Sequence, residues 1–158
     1  MKHFALLVLT FFAFSLCSAE VTGKVVGITD GDTITLLDDL DKGVFRIRLA
    51  GIDAPEKKQP YGNKAKQFLS SLVSGRQVSV RFREIDRYGR MIGIIFCGGT
   101  EINLEMVRKG FAWHYARYDR SAAYIEAEKQ ARREKKGLWA DKTAINPHEF
   151  RKMQRNRH

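Results

Sequence analysis

The chain has 158 residues and a formal net charge of +10 at pH 7, from 28 lysines and arginines against 18 aspartates and glutamates. This length suits one domain with a sizeable core, and the basic charge favours a polyanionic partner, nucleic acid first and an anionic membrane or glycan second. Of the two cysteines, Cys17 lies in a predicted leader, which leaves Cys97 without a partner for an internal disulfide.

Residues 1–19 have the pattern of a secretory signal peptide. A short basic start precedes the apolar run Phe4–Leu16, and Cys17-Ser18-Ala19 supply the small residues of a cleavage site. The run is too short to span a bilayer comfortably, which disfavours a membrane anchor. Lipoprotein processing at Cys17 is an alternative. We expect cleavage near Ala19 and a secreted or periplasmic mature protein without stable membrane association.

Three predicted strands follow the leader. Val21–Ile28 and Thr33–Leu37 flank the turn Thr29–Asp32 and form a hairpin. The acidic turn Asp38–Gly43 leads to a third strand, Val44–Ile52, in which apolar residues alternate with arginines and bury one face. Three strands joined by short turns favour an antiparallel meander.

The next segments alternate between helix and strand patterns. Apolar residues at helical spacing predict a helix over Asn63–Leu72, and period-two alternation predicts strands over Gln77–Arg83 and Met91–Phe96. A short helix follows around Ile102–Val107, and a longer, highly charged helix is predicted over Ser121–Lys136.

Five short strands with three helices predict a mainly β fold with helices, in which a small barrel carries the helices around it. We expect three parts: a signal peptide at 1–19, one domain at 20–145 and a basic C-terminal tail at 146–158. The end of that tail, Arg151–His158, lacks apolar periodicity and is expected to be mobile rather than folded.

Four carboxylates fall at predicted strand ends or turns, where side chains converge: Asp30, Asp32, Asp53 and Glu56. Carboxylate and backbone carbonyl oxygens suit a hard cation such as calcium, and the lack of a histidine or cysteine cluster argues against zinc. For Asp30 and Asp32, ordinary turn chemistry is the alternative, because Asp-Gly-Asp is not specific by itself.

Two arginines lie at informative places. Arg48 precedes Asp53 by five residues, and Arg90 ends the turn Asp86–Arg90. A guanidinium binds phosphate oxygens through two parallel hydrogen bonds and stays charged at any working pH. Arginines beside carboxylates are what a metal-assisted attack on a phosphodiester requires. For either arginine alone, a solvated surface charge is the alternative, so the prediction depends on the combination.

The combined pattern resembles the staphylococcal nuclease (thermonuclease) family, in order, over nearly all of the chain from Val21 to Trp139. The segments that carry the resemblance are Thr29–Thr33, Arg46–Glu56, Asp86–Arg90, Leu104–Gly110 and Glu134–Trp139, with Tyr115 and Tyr118. Two departures are visible. The loop Lys57–Tyr61 is shorter than in the staphylococcal enzyme, and Ala54 stands where family members often have threonine.

The resemblance implies an OB-fold-like, five-stranded antiparallel barrel with three helices. It also implies a calcium-dependent, sugar-nonspecific nuclease that acts on DNA and RNA and leaves 3′-phosphate products. The implied site residues are catalytic Arg48, Glu56 and Arg90, the calcium ligands Asp32, Asp53 and the carbonyl of Ala54, and the nucleotide contacts Tyr88, Tyr115 and Tyr118. A monomer is the default expectation.

Two other functions stay open at this point. A catalytically silent, OB-like nucleic-acid-binding module would keep the fold, but it has no reason to retain the full set Asp32, Arg48, Asp53, Glu56 and Arg90. A basic exported protein that binds membranes or glycans has only the charge in its favour. Trp113 suits either a stacking face for bases or a place in the core.

Overall fold

The computed structural model describes residues 19–156. The predicted signal peptide up to Ser18, with its lipoprotein alternative, and the last two residues lie outside this range. The described elements, in chain order, are β1 (Ala19–Asp30), β2 (Thr33–Asp38), β3 (Val44–Leu49), β4 (Ile52–Asp53), α1 (Gly62–Val73), β5 (Gln77–Ile85), β6 (Met91–Cys97), β7 (Thr100–Glu101), α2 (Ile102–Arg108), β8 (Trp113–His114), α3 (Ala122–Arg133), a short 3-10 helix (Gly137–Ala140) and α4 (Pro147–Arg155). None of the helices within 19–156 is both long and apolar enough to cross a bilayer.

Five strands close into a barrel in the order β3-β2-β1-β5-β6, which confirms the OB-like α+β fold. The closing pair differs from the all-antiparallel expectation, because β3 and β6 run parallel, with Ile47 beside Met91 and Arg48 beside Ile92. The reason is geometric. Four antiparallel pairings reverse direction four times, so the first and last strands of a five-stranded ring point the same way.

β1 is the long strand that joins the two sides of the barrel. Its first half, from Ala19 to Lys24, pairs with β5, and its second half, from Gly23 to Asp30, pairs with β2. Two register shifts interrupt the pairing with β2. Such irregularities bend a strand and increase its twist, which lets β1 wrap around a small core.

The core fills the barrel and the space under the helices. Its fully buried members alternate along the strands and recur at helical spacing: Val25, Ile34, Leu36, Ile47, Leu49, Ile52, Ala65, Leu69, Val73, Val80, Ile95, Ile102, Met106 and Val107. Helix α1 packs on β1 and α2, and α2 packs on β6 and α3. The helices therefore cover one side of the barrel and leave the ends of β1, β3 and β4 to form a site.

The third predicted strand, 44–52, is broken in the structure at Gly51. This residue has φ +73°, a backbone region that glycine adopts without steric cost. The chain turns there, and Ile52–Asp53 pairs with Trp113–His114 instead of continuing β3. The break places Asp53 beside β3 rather than beyond its end.

The C-terminal segment departs from the expectation of a mobile tail, which is wrong for the described residues. Pro147–Arg155 forms helix α4. The side chain of Asn146 caps the helix by accepting a hydrogen bond from the amide of His148 at 2.9 Å, and Pro147 occupies the first turn. An asparagine followed by proline is a recognisable helix start, because proline presets φ and has no amide hydrogen to lose.

Asn103 connects the barrel to α2 from a fully buried position. Its Nδ2 donates to the carbonyls of Ala50 at 2.9 Å and Gly93 at 3.0 Å, while its Oδ1 accepts from the amide of Ile95 at 3.0 Å. The side chain thus satisfies backbone groups at the place where the paired strands β3 and β6 separate, next to the bond from the Ala50 amide to the Gly93 carbonyl.

We predict that Asn103→Ala lowers the free energy of unfolding by about 3 kcal/mol, because buried backbone groups lose their partners. Urea denaturation followed by circular dichroism measures the change. Asn63→Ala, at an exposed position on α1, is the matched control and should change stability by less than about 0.5 kcal/mol. Equal effects of the two variants would contradict the assigned role of Asn103.

Candidate active site

The centre of the site is the guanidinium of Arg48, which lies between two carboxylates. Its Nη1 is 2.6 Å from Oδ2 of Asp32, and its Nη2 is 3.2 Å from Oδ1 of Asp53. Asp32 and Asp53 are 7% and 1% exposed, and only 14% of the Arg48 side chain is accessible. Three elements meet here, because Asp32 follows β1, Arg48 lies on β3 and Asp53 ends β4.

The turn that carries Asp32 is held against Ala54. The backbone amide of Ala54 donates to Oδ2 of Asp32 at 3.1 Å, and the hydroxyl of Thr33 donates to its Oδ1 at 3.0 Å. Gly31 makes this approach possible by its lack of a side chain. A Cβ at Gly31 would lie 2.7 Å from the Cβ of Ala54 and 2.8 Å from that of Ala65. Its role is close packing, since its φ is not positive.

The carboxyl of Asp32 is under electrostatic strain. Burial raises its pKa to about 7, against the opposing effect of Arg48, and the negative charges of Asp30 and Asp53 raise it further. The Ala54 amide favours the ionised form. Because Arg48 alone does not compensate this burial and repulsion, the pocket favours additional positive charge.

The donor set fits a calcium ion. It consists of two nearly buried carboxylates, Asp32 and Asp53, and the backbone carbonyl of Ala54, which accepts no hydrogen bond from other residues in the range 19–156. Hard cations prefer such oxygen ligands. In the described part of the chain, no three acidic, histidine or cysteine side chains already surround a common point. Guanidinium groups lie against the Asp53 carboxylate instead.

The second of these guanidiniums belongs to Arg151 of α4. Its Nη2 is 2.8 Å from Oδ2 of Asp53, and its Nη1 is 2.6 Å from Oε1 of Glu56. Burial disfavours the charged form, but the hydrogen bonds to Asp53 and Glu56 outweigh that effect and raise the pKa of Arg151. The Glu56 side chain is 40% exposed, so solvent reaches it. Asp53 and Glu56 are therefore joined through one arginine.

Arg90 shares the outer face of the barrel with Arg48. In the parallel pair, Arg48 lies beside Ile92, and Arg90 precedes Ile92 by two residues, which keeps its side chain on the same face. Its guanidinium is held by Asp86, with Nε and Nη2 at 2.8 and 2.7 Å from Oδ2. Asp32, Asp53 and Glu56 are called the acidic cluster below. Within 19–156, no hydrogen bond or ion pair joins Arg90 to this cluster.

The predicted nucleotide contacts lie on two turns. Tyr88 is exposed at the turn before β6, with the guanidinium of Arg90 5.5 Å from its ring centre. Tyr115 donates its amide to the carbonyl of Gly51 at 2.8 Å, and its ring meets that of the exposed Tyr118 edge-on, with centroids 4.8 Å apart. Exposed aromatic rings are thus present on the turn before β6 and on the segment after β8.

Trp113 packs in the protein rather than presenting a free face. Its ring meets Trp139 at 4.3 Å between centroids, and the guanidinium carbon of Arg132 lies 4.7 Å from the Trp113 ring centre. Of the two alternatives for Trp113, this geometry favours the packing role.

The sequence predictions missed Arg151 and Gln59. Gln59 is buried, its Oε1 accepts from the amide of Glu56 at 3.1 Å, and its Nε2 donates to the carbonyl of Ile145. The start of α4 was detectable from Asn146-Pro147. No local pattern shows that this helix docks beside Glu56, because the contact joins residues far apart in sequence.

Chemically, the site joins a buried pair of carboxylates, suited to a cation, to an accessible carboxylate that can exchange protons with water. Arginines stand beside both. This combination can hold a phosphate group by its charge and activate a water molecule next to it.

The chain is similar to known nucleases. A family model described as staphylococcal nuclease homologue matches residues 46–141, a span that includes Arg48, Asp53, Glu56 and Arg90 but ends before Arg151. An uncharacterized endonuclease of Escherichia coli O157:H7 is 40% identical over 148 residues, which cover 93% of this chain and 95% of that protein. A micrococcal nuclease of Shigella flexneri is 42% identical over 149 residues, covering 87% of this chain and 84% of that protein.

We predict that Asp86→Asn lowers stability at neutral pH by about 1 kcal/mol. Burial raises the pKa of Asp86, but hydrogen bonds from the amides of Arg90 and Tyr88 and from the Arg90 guanidinium outweigh it and hold the pKa below its usual range. A depressed folded-state pKa stabilises the fold above the unfolded-state value and loses that effect as the pH falls through the folded-state value. Thermal unfolding between pH 7 and pH 2 measures the difference.

The stability difference between wild type and Asp86→Asn should therefore shrink towards zero at the acid end. Glu84→Gln, at an exposed position on the same side of the turn, is the control and should follow wild type throughout. A difference that is constant with pH would show that the ionised carboxylate of Asp86 is not what holds the turn.

Proposed function

Because the chain belongs to the staphylococcal nuclease family and is a nuclease of the thermonuclease type, we propose that it requires calcium and hydrolyses phosphodiester bonds of both DNA and RNA. The observation that supports this most directly is that Asp32, Arg48 and Asp53 come from three separate elements and meet at a site almost inaccessible to solvent. The 3′-phosphate products follow from the family resemblance.

Asp32, Asp53 and the carbonyl of Ala54 would hold the calcium ion, since two nearly buried carboxylates and a backbone carbonyl give the oxygen ligands that calcium prefers. When bound, calcium supplies positive charge for a phosphate oxygen and for a nearby water. Arg48 keeps the two carboxylates together at 2.6 and 3.2 Å, so the ligands are arranged before the ion arrives. Preorganised ligands reduce the reorganisation needed during the reaction.

Glu56 is the residue proposed to accept the proton of the attacking water. It follows Asp53 by three residues, and its side chain is accessible to solvent. The backbone amide of Glu56 donates a hydrogen bond to Oε1 of the Gln59 side chain. This bond limits the movement of Glu56 relative to the metal ligands. A positioned carboxylate within reach of the water is the geometric requirement for this role.

Arg48 and Arg90 are proposed to stabilise the negative charge that develops on phosphorus as the water attacks. They lie on the same outer face of β3 and β6, and Asp86 keeps the Arg90 guanidinium in one orientation. Removing one such donor typically costs about a hundredfold or more in rate. Tyr88, Tyr115 and Tyr118 provide rings on which bases stack without sequence readout.

We predict that the purified mature protein degrades plasmid DNA and RNA with calcium present and stops when a chelator is in excess. Glu56→Gln should lower turnover about a hundredfold or more, because water activation is lost, while binding of uncleaved DNA changes much less. Gel assays of cleavage and fluorescence anisotropy of binding measure the two effects.

Glu126→Gln removes the same charge from an exposed position on α3 and should cleave like wild type. Normal cleavage by Glu56→Gln would remove the role given to Glu56. Binding with no cleavage under calcium would support the silent nucleic-acid-binding module instead.

We also propose that the chain is exported, as a monomer, to the periplasm or the medium, because its first nineteen residues have a basic start, an apolar run and a small-residue cleavage site. Expression with the native leader should yield a protein in the periplasmic extract whose mass corresponds to cleavage after Ala19. A full-length protein retained in the cytoplasm would contradict export, and a lipid-modified mass at Cys17 would contradict the cleavage position.

A further inference from the structure

Helix α4 reaches the site with a single side chain. Arg151 uses both terminal nitrogens of its guanidinium on the acidic cluster, with Nη1 2.6 Å from Glu56 and Nη2 2.8 Å from Asp53. The same Nη1 also lies 3.2 Å from the other oxygen of Asp53. This fork-like arrangement matches the geometry that makes arginine–carboxylate pairs strong.

The contact is anchored on both sides. Asn146 caps α4, and Pro147 at its start is buried. Ile145, immediately before the cap, accepts a hydrogen bond from the buried Gln59, which also holds the backbone of Glu56. The segment before α4 packs over a cavity of about 120 Å³ lined in part by Pro55 and Trp113. These contacts fix the start of α4 and thereby hold Arg151 beside the acidic cluster.

The atoms that Arg151 occupies are those a metal needs. Asp53 has one oxygen within 3.2 Å of Arg48 and the other within 2.8 Å of Arg151, so both of its oxygens are engaged by positive charge. A divalent cation bound to Asp53 would lie within a few ångströms of the Arg151 guanidinium, where like charges repel. The Arg151 side chain is 37% exposed, so its guanidinium can move into solvent while the helix stays in place.

On the basis of the calcium site in the proposed function, we propose that Arg151 is a tethered counter-cation of the acidic cluster, which competes with divalent metal for Asp53 and thereby lowers the metal affinity of the site. In the metal-free protein it neutralises Asp53 and Glu56. On metal binding its guanidinium leaves Asp53, which also frees the oxygens of Glu56.

Competition and simple structural support predict opposite results. If Arg151 only positions the ligands, its removal loosens Asp53 and weakens metal binding. If it occupies the ligand, the apparent dissociation constant of the metal equals the intrinsic constant divided by the fraction of molecules in which the ion pair is open. Its removal then strengthens metal binding.

The test is calorimetric titration of the full-length mature protein, stripped of metal with a chelator, with calcium chloride. Arg151→Gln should bind calcium about tenfold more tightly than wild type, which corresponds to an ion pair closed in roughly nine molecules of ten. Arg151→Lys, which keeps the charge but loses the fork, should fall between the two. The readout is metal binding itself and needs no turnover.

Lys152→Gln is the matched control, because it removes one positive charge from the exposed side of the same helix. It should change the calcium dissociation constant by less than about twofold, the size of a screened surface effect. A similar gain in calcium affinity in Lys152→Gln and Arg151→Gln would show that the effect comes from net charge alone, and it would overturn the inference.

The remaining outcomes are distinct. Unchanged or weaker calcium binding in Arg151→Gln, with normal binding by wild type, overturns the counter-cation role and leaves the proposed calcium site intact. No calcium binding by wild type or either Arg151 variant removes the calcium assignment itself, and this inference falls with it. Circular dichroism shows whether each variant is folded, and if Arg151→Gln is not, Arg151→Lys carries the comparison.

Discussion

The interaction on which the rest of the structure depends is the fork of Arg48 between Asp32 and Asp53. Two carboxylates that are almost wholly buried cost several kcal/mol in lost hydration unless they are paired, and removing one partner leaves the others uncompensated. The fork ties the end of β1 to β3 and to the short β4, so the local fold and the arrangement of the acids depend on the same atoms. A change at Arg48 therefore affects stability and chemistry together, and the two effects must be measured separately.

The arginines of the site do not fully offset the cost of burying its carboxylates. The pKa of Asp32 rises to about 7 because burial dominates, although Arg48 lies 2.6 Å away. Such residual strain is expected where function requires a charge distribution that folding alone would not favour. Arg48 and Arg151 together place a guanidinium nitrogen within 2.8 Å of each of the three carboxylates, Asp32, Asp53 and Glu56. These ion pairs offset part of the cost of bringing the three negative charges together.

Sequence periodicity predicted the five barrel strands and three of the helices, because alternation is a local property. Turn positions and the family resemblance predicted that acids and arginines converge. The structure brings Asp32, Arg48 and Asp53 together, but within 19–156 it pairs Arg90 with Asp86 instead. The odd strand count already required one parallel pair, a consequence that pairwise hairpin reasoning does not reveal. The packing role of Gly31 was not predictable from the sequence, since only the folded structure shows Ala54 and Ala65 within reach of a Cβ at this position. Arg151 was placed in a mobile tail for a related reason. Its contacts with Asp53 and Glu56 join distant parts of the chain, and no spacing rule reports them.

The parallel pair between β3 and β6 also implies an order of assembly. Asp32 and Arg48 belong to neighbouring strands and turns and meet when the first hairpins form, whereas Asp53 is held by the pairing of β4 with the distant β8. Arg90 joins their face only when β6 pairs with β3 across the intervening α1 and β5, a long-range closure that carries a larger entropic barrier. Before that closure, Arg48 lies on one edge strand of the open sheet, and the turn of Arg90 adjoins the other edge strand. The two arginines therefore become neighbours only in the completed ring.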